Sequence, residues 1–320
     1  EAHTHIISSR PNALRGGLPP RSRDKTHLKG GAPVYIQLAI TGISMGMLYA
    51  LMAMGLILIV KAVGVLNFAH GQLFMLGAYL TWMLTYQLHL PLWGVVLCGL
   101  VVFAICGAAY MFSCYWPLRN SPWKVTVIIS TLGASIALKE LVRIIWGSIP
   151  LTMEPIISGV IRIGTAYLSY QYLFIIVIGG GLMAFVYILF EKTFIGKIMQ
   201  ATAQDRYAAN LIGIPTVVAI VCTYMISMSL SGVGGWLAAP LFLVSQSLGN
   251  LAQKAFAGIV LGGFGSIKGA VVGCLLIGLI ESFSVLITDN YKDAIVFLVL
   301  IVVLVIRPTG IFGEKIAEKA

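Results

Sequence analysis

Long apolar runs constrain the fold of this chain more than any other feature of its sequence. A helix rises about 1.5 Å per residue, so crossing a hydrocarbon core of roughly 30 Å takes about 20 residues. Eight runs meet or approach this length, the last after extension back from residue 294 to Tyr291. They predict spans at 34–60, 66–86, 92–115, 125–146, 168–190, 217–244, 270–287 and 291–306. We therefore expect an all-α, polytopic integral membrane protein.

The composition excludes the main alternatives. Hydrophobic residues make up 59% of the 320 residues and charged residues only 10%, whereas soluble domains carry about 25% charged residues. An ordinary water-soluble enzyme, a disordered chain and a disulfide scaffold are therefore excluded. The net charge of +10 is spread over a tail and short loops, which in a membrane protein indicates orientation and not nucleic-acid binding.

Between the sixth and seventh spans, residues 252–263 are apolar but too short to cross a bilayer alone, and a glycine-rich turn follows them. Such a segment is typical of a broken or re-entrant helix, which is tolerated where protein buries it or where it lines a cavity. Glycines at four-residue spacing predict close helix packing in this region. These glycines are Gly258, Gly262, Gly265, Gly269 and Gly273.

The ends of the chain and its basic loops predict the domain organisation. Residues 1–33 are basic and rich in Pro, Gly and Ser, and we interpret them as a disordered extension of the membrane domain at 34–313. Basic residues after the first, third and fifth spans, and in the tail at 314–320, predict that these parts face the cytoplasm. The chain then begins outside, although the basic extension argues for the opposite orientation.

A few polar side chains interrupt the apolar runs. Asn67, His70 and Gln72 lie at the entry to the second span, and Glu281 lies inside the seventh. Polar groups in lipid cost free energy unless they are paired, so they indicate a transport path or a lock between helices. The alternatives are an interfacial helix start capped by Asn67, and a structural hydrogen bond of Glu281. Glu140 and Arg143 are predicted to pair on one helix face.

The segment at 191–215 is amphipathic, too polar to span, and ends at Gly-Ile-Pro. By its pattern it is either a docking helix for a partner or a helix that lies on lipid headgroups. Elsewhere no phosphate-binding loop, no HExxH or GxSxG motif and no paired carboxylates occur, so we expect neither catalysis nor a cofactor. The five cysteines lack metal-ligand spacing, and no metal site is predicted.

Several motifs together resemble a known family. They include Gly-Val-Leu-Asn-Phe-Ala-His-Gly at 64–71 and Arg-Pro-Thr-Gly-Ile-Phe-Gly at 307–313. Further matches lie at 115–119, 130–133, 141–143 and 262–267, so that the likeness covers residues 34 to about 315. The chain resembles the membrane permease subunits of bacterial ABC importers for branched-chain amino acids, specifically the first of two sister permeases.

The resemblance implies a location in the bacterial inner membrane and four kinds of partner. These are a sister permease, two ATPase subunits that bind ATP and Mg²⁺, an extracytoplasmic substrate-binding protein, and lipid. It implies that 196–214 is the coupling helix that docks on an ATPase, with Asp205 and Arg206 as polar contacts, although Tyr207 stands where many such permeases have Glu. The coupling residues are Gly196, Ala203, Asp205, Arg206, Ala208, Ala209 and Gly213. Asn67, His70 and Gln72 are then expected in the substrate path or gate, with Glu281 as a second choice.

Three alternatives remain open at this stage. A permease of a urea or short-chain amide importer shares the Asn-x-Ala-His-Gly region, and 263–267 favours the amino-acid branch. A secondary transporter would show inverted halves with paired broken helices, whereas the sequence has a single clear broken segment. An intramembrane enzyme would need a catalytic constellation.

Overall fold

A computed structural model describes residues 32–119, 121, 123–163 and 166–312. The predicted disordered extension, except its last two residues, and the predicted tail lie outside these ranges. The helices are α1 (Ala32–Val63), α2 (His70–Trp82), α3 (Leu92–Tyr110), α4 (Lys124–Trp146), α5 (Tyr170–Lys192), α6 (Phe194–Gln204), α7 (Arg206–Leu211), α8 (Thr216–Ala238), α9 (Leu251–Gly262), α10 (Ile267–Ser284) and α11 (Lys292–Ile306).

Short elements extend or join these helices. A π-helical turn, Met83–Gln87, continues α2, and a second one, Met111–Tyr115, continues α3 into the 3₁₀ turn Trp116–Leu118. The strands β1 (Val160–Ile163) and β2 (Ala166–Ser169) form an antiparallel hairpin with Val160 opposite Ser169. Another 3₁₀ turn, Gln246–Asn250, leads into α9.

The predicted all-α membrane fold is confirmed. Within the described ranges, six helices are long and apolar enough to cross a membrane: Pro33–Val63, Leu92–Leu118, Val125–Trp146, Tyr170–Lys192, Thr216–Ala238 and Ile267–Ser284. The second and eighth predicted spans correspond to α2 and α11, which have 13 and 15 α-helical residues and are not among these six. The segment predicted as re-entrant is α9, with 12 residues.

Helix α1 is the centre of the bundle. It packs against α5, α8, α9 and α10, and its residues 48–59 are buried without interruption. Glycines permit its closest approach, because a Cβ on Gly46 would lie 2.7 Å from the Leu275 Cα and one on Gly278 would lie 2.6 Å from the Gly46 Cα. This contact was not predicted from the sequence, although Gly42 and Gly46 have the same four-residue spacing as the predicted packing glycines.

Four of the predicted packing glycines hold α9 against α10. A Cβ on Gly258 would lie 2.8 Å from the Cys274 Cα, and one on Gly273 would lie 2.9 Å from the Gly262 Cα. Gly269 faces Gly262 across the same contact. Gly265 does not share this role. Its φ of +98° places it in a turn that favours glycine, and a Cβ there would meet no atom within 4 Å.

The helix ends identify one basic face of the protein. Phe312 and Ile311, just after α11, donate backbone hydrogen bonds of 2.9 Å to Gly262 and Leu261 at the end of α9. Helix α9 therefore ends at the face where α11 ends. Cation–π contacts join the ends of α1, α5 and α10 on this face: Lys61 lies 5.6 Å from the Phe190 ring centroid and Lys268 lies 5.5 Å from that of Tyr187.

The α1–α10 contact gives a stability prediction. We expect Gly46→Val to destabilise the protein by about 1–3 kcal/mol or more, because the new side chain meets backbone atoms that cannot move away cheaply. Gly181→Val is the matched control, since Gly181 is exposed on α5 and a Cβ there meets nothing within 4 Å. Thermal unfolding in detergent measures both variants. Equal unfolding temperatures for the two would contradict the packing account.

Candidate functional site

A cavity of ≈460 Å³ lies between α1, α2, α4, α9 and α11. Its volume is in the range of small-molecule sites, which is about 300–1,000 Å³. The wall is mostly apolar with a polar sector, as is usual where a few polar groups orient a ligand. The polar sector contains Asn67, His70, Gln72, Ser135, Asn250 and Gln253, and the apolar wall includes Met52, Leu56, Phe68, Phe256 and Phe297.

Asn67 lies in the loop that joins α1 to α2. Its Oδ1 accepts hydrogen bonds from the Ala69 backbone N–H at 3.0 Å and from the Tyr110 hydroxyl at 2.8 Å. The residue at the start of α2 is Ala69, which has no side-chain cap, so Asn67 orders the turn before the helix and does not cap it. The Phe68 N–H donates to Thr131 Oγ1 of α4 at 3.3 Å, which fixes the same loop to the cavity wall.

His70 is fixed between α1 and α8. Its Nε2 lies 3.0 Å from the Met52 carbonyl oxygen and 2.7 Å from Ser231 Oγ. A carbonyl oxygen only accepts hydrogen bonds, so the contact with Met52 assigns the proton to Nε2 and leaves Nδ1 as an acceptor. The imidazole therefore joins two helices and also belongs to the cavity wall.

Three polar residues of the wall each keep one buried atom without a hydrogen-bond partner in the described structure. These atoms are Asn67 Nδ2, His70 Nδ1 and Gln72 Oε1. An unsatisfied buried polar atom costs about 1–3 kcal/mol, and native proteins keep few of them. All three residues line the same cavity, so these unsatisfied polar groups are concentrated at one place in the described structure.

Glu281 is not among the residues that line the cavity. One carboxylate oxygen lies 2.6 Å from Lys254 Nζ, and the other accepts a 2.6 Å hydrogen bond from the Tyr49 hydroxyl. Lys254 also pairs with Asp293 at 2.8 Å. The structure thus places Glu281 in a buried charge network that joins α1, α9, α10 and α11, apart from Asn67, His70 and Gln72. Its predicted role in the substrate path stays a prediction.

Lys254 was not predicted as a functional residue, because the short segment around it was interpreted as apolar. A Gln-Lys pair at 253–254 inside this segment was the available signal. The predicted pair of Glu140 and Arg143 is present on α4 at 3.1 Å, with both side chains about half exposed.

The segment predicted to couple to a partner folds as two short helices, α6 and α7, on the basic face. Thr193 Oγ1 accepts the Gly196 N–H at 3.2 Å and caps α6. Gly196 is needed there, because a Cβ would lie 2.6 Å from the Phe190 carbonyl carbon. Ala203 is half-buried near the end of α6.

Asp205 and Arg206 both have partners within the chain. Asp205 Oδ1 caps α7, accepting the N–H groups of Tyr207 at 2.8 Å and Ala208 at 3.1 Å. The Arg206 guanidinium donates to the Tyr115 hydroxyl and, at 3.3 Å, to the Ala62 carbonyl oxygen. Arg206 is therefore directed into the helix bundle, and the predicted contacts of both residues with an ATPase stay predictions.

The rest of α7 presents an apolar surface. Ala209 is buried against the protein, whereas Ala208 is exposed. Gly213 ends the segment at φ +83° and has no atom within 4 Å of a Cβ position. Large apolar side chains are exposed along the two helices although the segment is polar in composition. We call them the exposed helix-pair surface: Phe194, Ile195, Tyr207, Leu211 and Ile212.

The charge network gives a second prediction. We expect Lys254→Met to destabilise the protein by about 3–5 kcal/mol, since it leaves the Glu281 carboxylate buried without its counter-charge. The double variant Lys254→Met/Glu281→Gln removes the stranded charge and should recover much of the loss. Thermal unfolding in detergent measures this comparison. A double variant that unfolds as early as the single one would show that the pairing does not stabilise the bundle.

The chain is similar to several known proteins. A family model described as branched-chain amino acid transport system / permease component matches residues 38–304. The permease protein LivH of the high-affinity branched-chain amino acid transport system of Salmonella typhimurium is 32% identical over 301 residues, covering 89% of this chain and 97% of LivH. BraD, its counterpart in Pseudomonas aeruginosa, is 33% identical over 301 residues, covering 89% of this chain and 98% of BraD. Among solved structures, PsaBC from Streptococcus pneumoniae in complex with Fab has a TM-score of 0.45 and 13% identity, covering 85% of this chain and 89% of that one.

Proposed function

The chain belongs to the family of branched-chain amino acid transport system permease components, and from this premise we propose that it forms half of the translocation pathway of an ABC importer for aliphatic amino acids. As a member of that family it is a multi-pass membrane transport subunit and not an enzyme. The observation that carries the proposal is the exposed helix-pair surface on a chain without a phosphate-binding loop. On this proposal the chain supplies a pathway and a docking surface, and a separate subunit supplies the motor.

The exposed helix-pair surface supports docking of an ATPase subunit. Its apolar side chains project from a rigid base, since Asp205 and Thr193 cap the two helices. Exposed large apolar residues grouped on one short segment, here five within 194–212, mark interaction sites. The surface lies on the basic face, which we assign to the cytoplasm by the positive-inside rule. The bacterial cytoplasmic membrane is the corresponding location, with ATP and Mg²⁺ bound by the ATPases and not by this chain.

The cavity supports a substrate path. Apolar walls from α1, α9 and α11 suit an aliphatic side chain, and the three unpartnered polar atoms suit the ammonium and carboxylate groups of an amino acid. Asn67, His70 and Gln72 are the proposed contacts. The least buried of the flanking helices are α4, buried over 17% of its span, and α11, in which Val296 is the buried residue. A sister permease that covers this side would close the pathway.

The proposed cycle is a population shift. A substrate-binding protein delivers the amino acid at the outer face and supplies most of the selectivity. In this cycle, ATP binding closes the ATPase subunits and moves α6 and α7. The bundle then changes from outward to inward access, because the two states of the complex have different affinities for ATP.

Uptake by cells tests the proposal. Deletion of the chain should abolish binding-protein-dependent leucine uptake, and the intact tagged chain should co-purify from membranes with two ATPase subunits. Excess urea is the control competitor and should leave leucine uptake unchanged. Undiminished leucine uptake in the deletion strain, or loss of urea uptake instead, would overturn the assignment.

Gly213 gives a prediction for the docking surface. Valine at φ +83° is strained by about 1–2 kcal/mol, whereas asparagine adopts this backbone conformation readily. We therefore expect Gly213→Val to lower substrate-stimulated ATP hydrolysis about tenfold, and Gly213→Asn to retain it. Membrane insertion should be unaffected, because a Cβ at this position meets no atom within 4 Å in the described part of the chain. Normal coupling in the valine variant would remove the docking assignment.

A further inference from the structure

A continuous line of contacts leads from α7 to the cavity, and it starts at Arg206. The guanidinium donates to the Tyr115 hydroxyl at the end of α3 and to the Ala62 carbonyl oxygen in the last turn of α1. Its carbon lies 5.4 Å from the centroid of the Tyr115 ring. Any displacement of α7 therefore pulls on the ends of two membrane helices.

Three tyrosines continue the line into the bundle. The ring of Tyr224 on α8 is stacked on Tyr115 with centroids 5.9 Å apart, and it lies 6.1 Å from the ring of Tyr110. All three side chains are buried. Because interiors are packed as densely as organic crystals, such a cluster moves as one body and transmits displacement.

The backbone of α3 is built to form this cluster. In an α-helix, residues five apart point about 140° away from each other. The π-helical turn Met111–Tyr115 widens the helix by one residue, so Tyr110 and Tyr115 both reach Tyr224. Gly107 brings the two helices together one turn earlier, since a Cβ there would lie 2.6 Å from the Tyr224 carbonyl oxygen.

The line ends at the cavity wall. The Tyr110 hydroxyl donates to Asn67 Oδ1 at 2.8 Å, and this bond leaves Asn67 Nδ2 as one of the unpartnered atoms beside the cavity. Asn67 also holds the turn that starts α2, so its position determines the loop from which Phe68 reaches the cavity.

We infer that Arg206, Tyr115, Tyr224 and Tyr110 are positioning residues, which set Asn67 and its loop according to the position of α7. We call them the tyrosine link. The inference rests on the proposed function and deepens it: the link is the route by which a pull at α6 and α7 opens or closes the polar sector of the cavity. Tyr110 and Tyr115 act through hydroxyl groups at the two ends, and Tyr224 acts through its ring.

The test uses the complete importer, purified with its ATPases, reconstituted in liposomes and supplied with the substrate-binding protein and leucine. The variants are Tyr110→Phe, Tyr115→Phe and the double variant, each of which keeps the rings and deletes a hydroxyl. Tyr172→Phe is the matched control, because Tyr172 lies on α5 outside the link and its hydroxyl has no hydrogen-bond partner among the described residues. The readout is the number of leucine molecules transported per ATP hydrolysed.

Each single variant should lower this ratio about three- to tenfold, the factor that one buried hydrogen bond is worth, while the control keeps the wild-type ratio. Because the two hydroxyls act in series, the ratio of the double variant should be no lower than that of the more impaired single variant. If the two sites were independent, their losses would multiply. The yield and unfolding temperature of the complex should stay close to wild type.

An unchanged ratio in both single variants, or multiplied losses in the double variant, would overturn the inference. A lowered unfolding temperature with an unchanged ratio of leucine to ATP would show that the tyrosines contribute to packing and not to coupling. Should Tyr110→Phe fail to assemble, Arg206→Gln interrupts the link at its half-exposed end and must lower the ratio by the same factor. A wild-type preparation without ATPases or without ATP-dependent transport would instead refute the proposed function.

Discussion

Lipid offers no hydrogen-bond partners, and this constraint governs every polar group in the bundle. Glu281 forms hydrogen bonds with both Lys254 and the Tyr49 hydroxyl. His70 Nε2 lies within hydrogen-bond distance of the Met52 carbonyl oxygen and of Ser231 Oγ. The unpartnered atoms of Asn67, His70 and Gln72 are exceptions, and all three residues belong to one cavity wall. A fourth unpartnered buried atom in the described structure, Trp236 Nε1, belongs to a residue that does not line this cavity. The concentration of the other three in one wall distinguishes a path for a polar solute from ordinary packing.

The same constraint explains the division between scaffold and moving parts. Helix α1 is buried along most of its length and is fixed to α10 by glycine contacts that leave no room for rearrangement. Helix α6 packs against α1, α5 and α8 with Met199 buried, whereas the short helix α7 contacts the bundle through defined bonds, among them those of Arg206. A partner that binds the outer surface of α7 therefore acts on the ends of α1 and α3, away from the glycine contacts between α1 and α10.

The sequence was sufficient to predict what depends on composition and local pattern. The membrane fold, the short helix α9, the polar residues at the start of α2 and the amphipathic segment all follow from apolar run length or periodicity. Side-chain partners could not be predicted, because they depend on which helices meet. Arg206 belongs to the surface segment in sequence but reaches Tyr115, which is 91 residues away, and Lys254 reaches Glu281 27 residues on. Gly265 shows the converse error, since its spacing suits packing while its φ of +98° belongs to a turn.

The central claim is that this chain is a conduit driven by a separate motor. Leucine flux into proteoliposomes tests it most directly, with the purified chain and its sister permease compared with the complete complex. The account predicts no flux without the ATPases, and flux in the complete complex only when ATP and the binding protein are present. Sustained leucine flux through the permeases alone, driven by an ion gradient or by none, would contradict it.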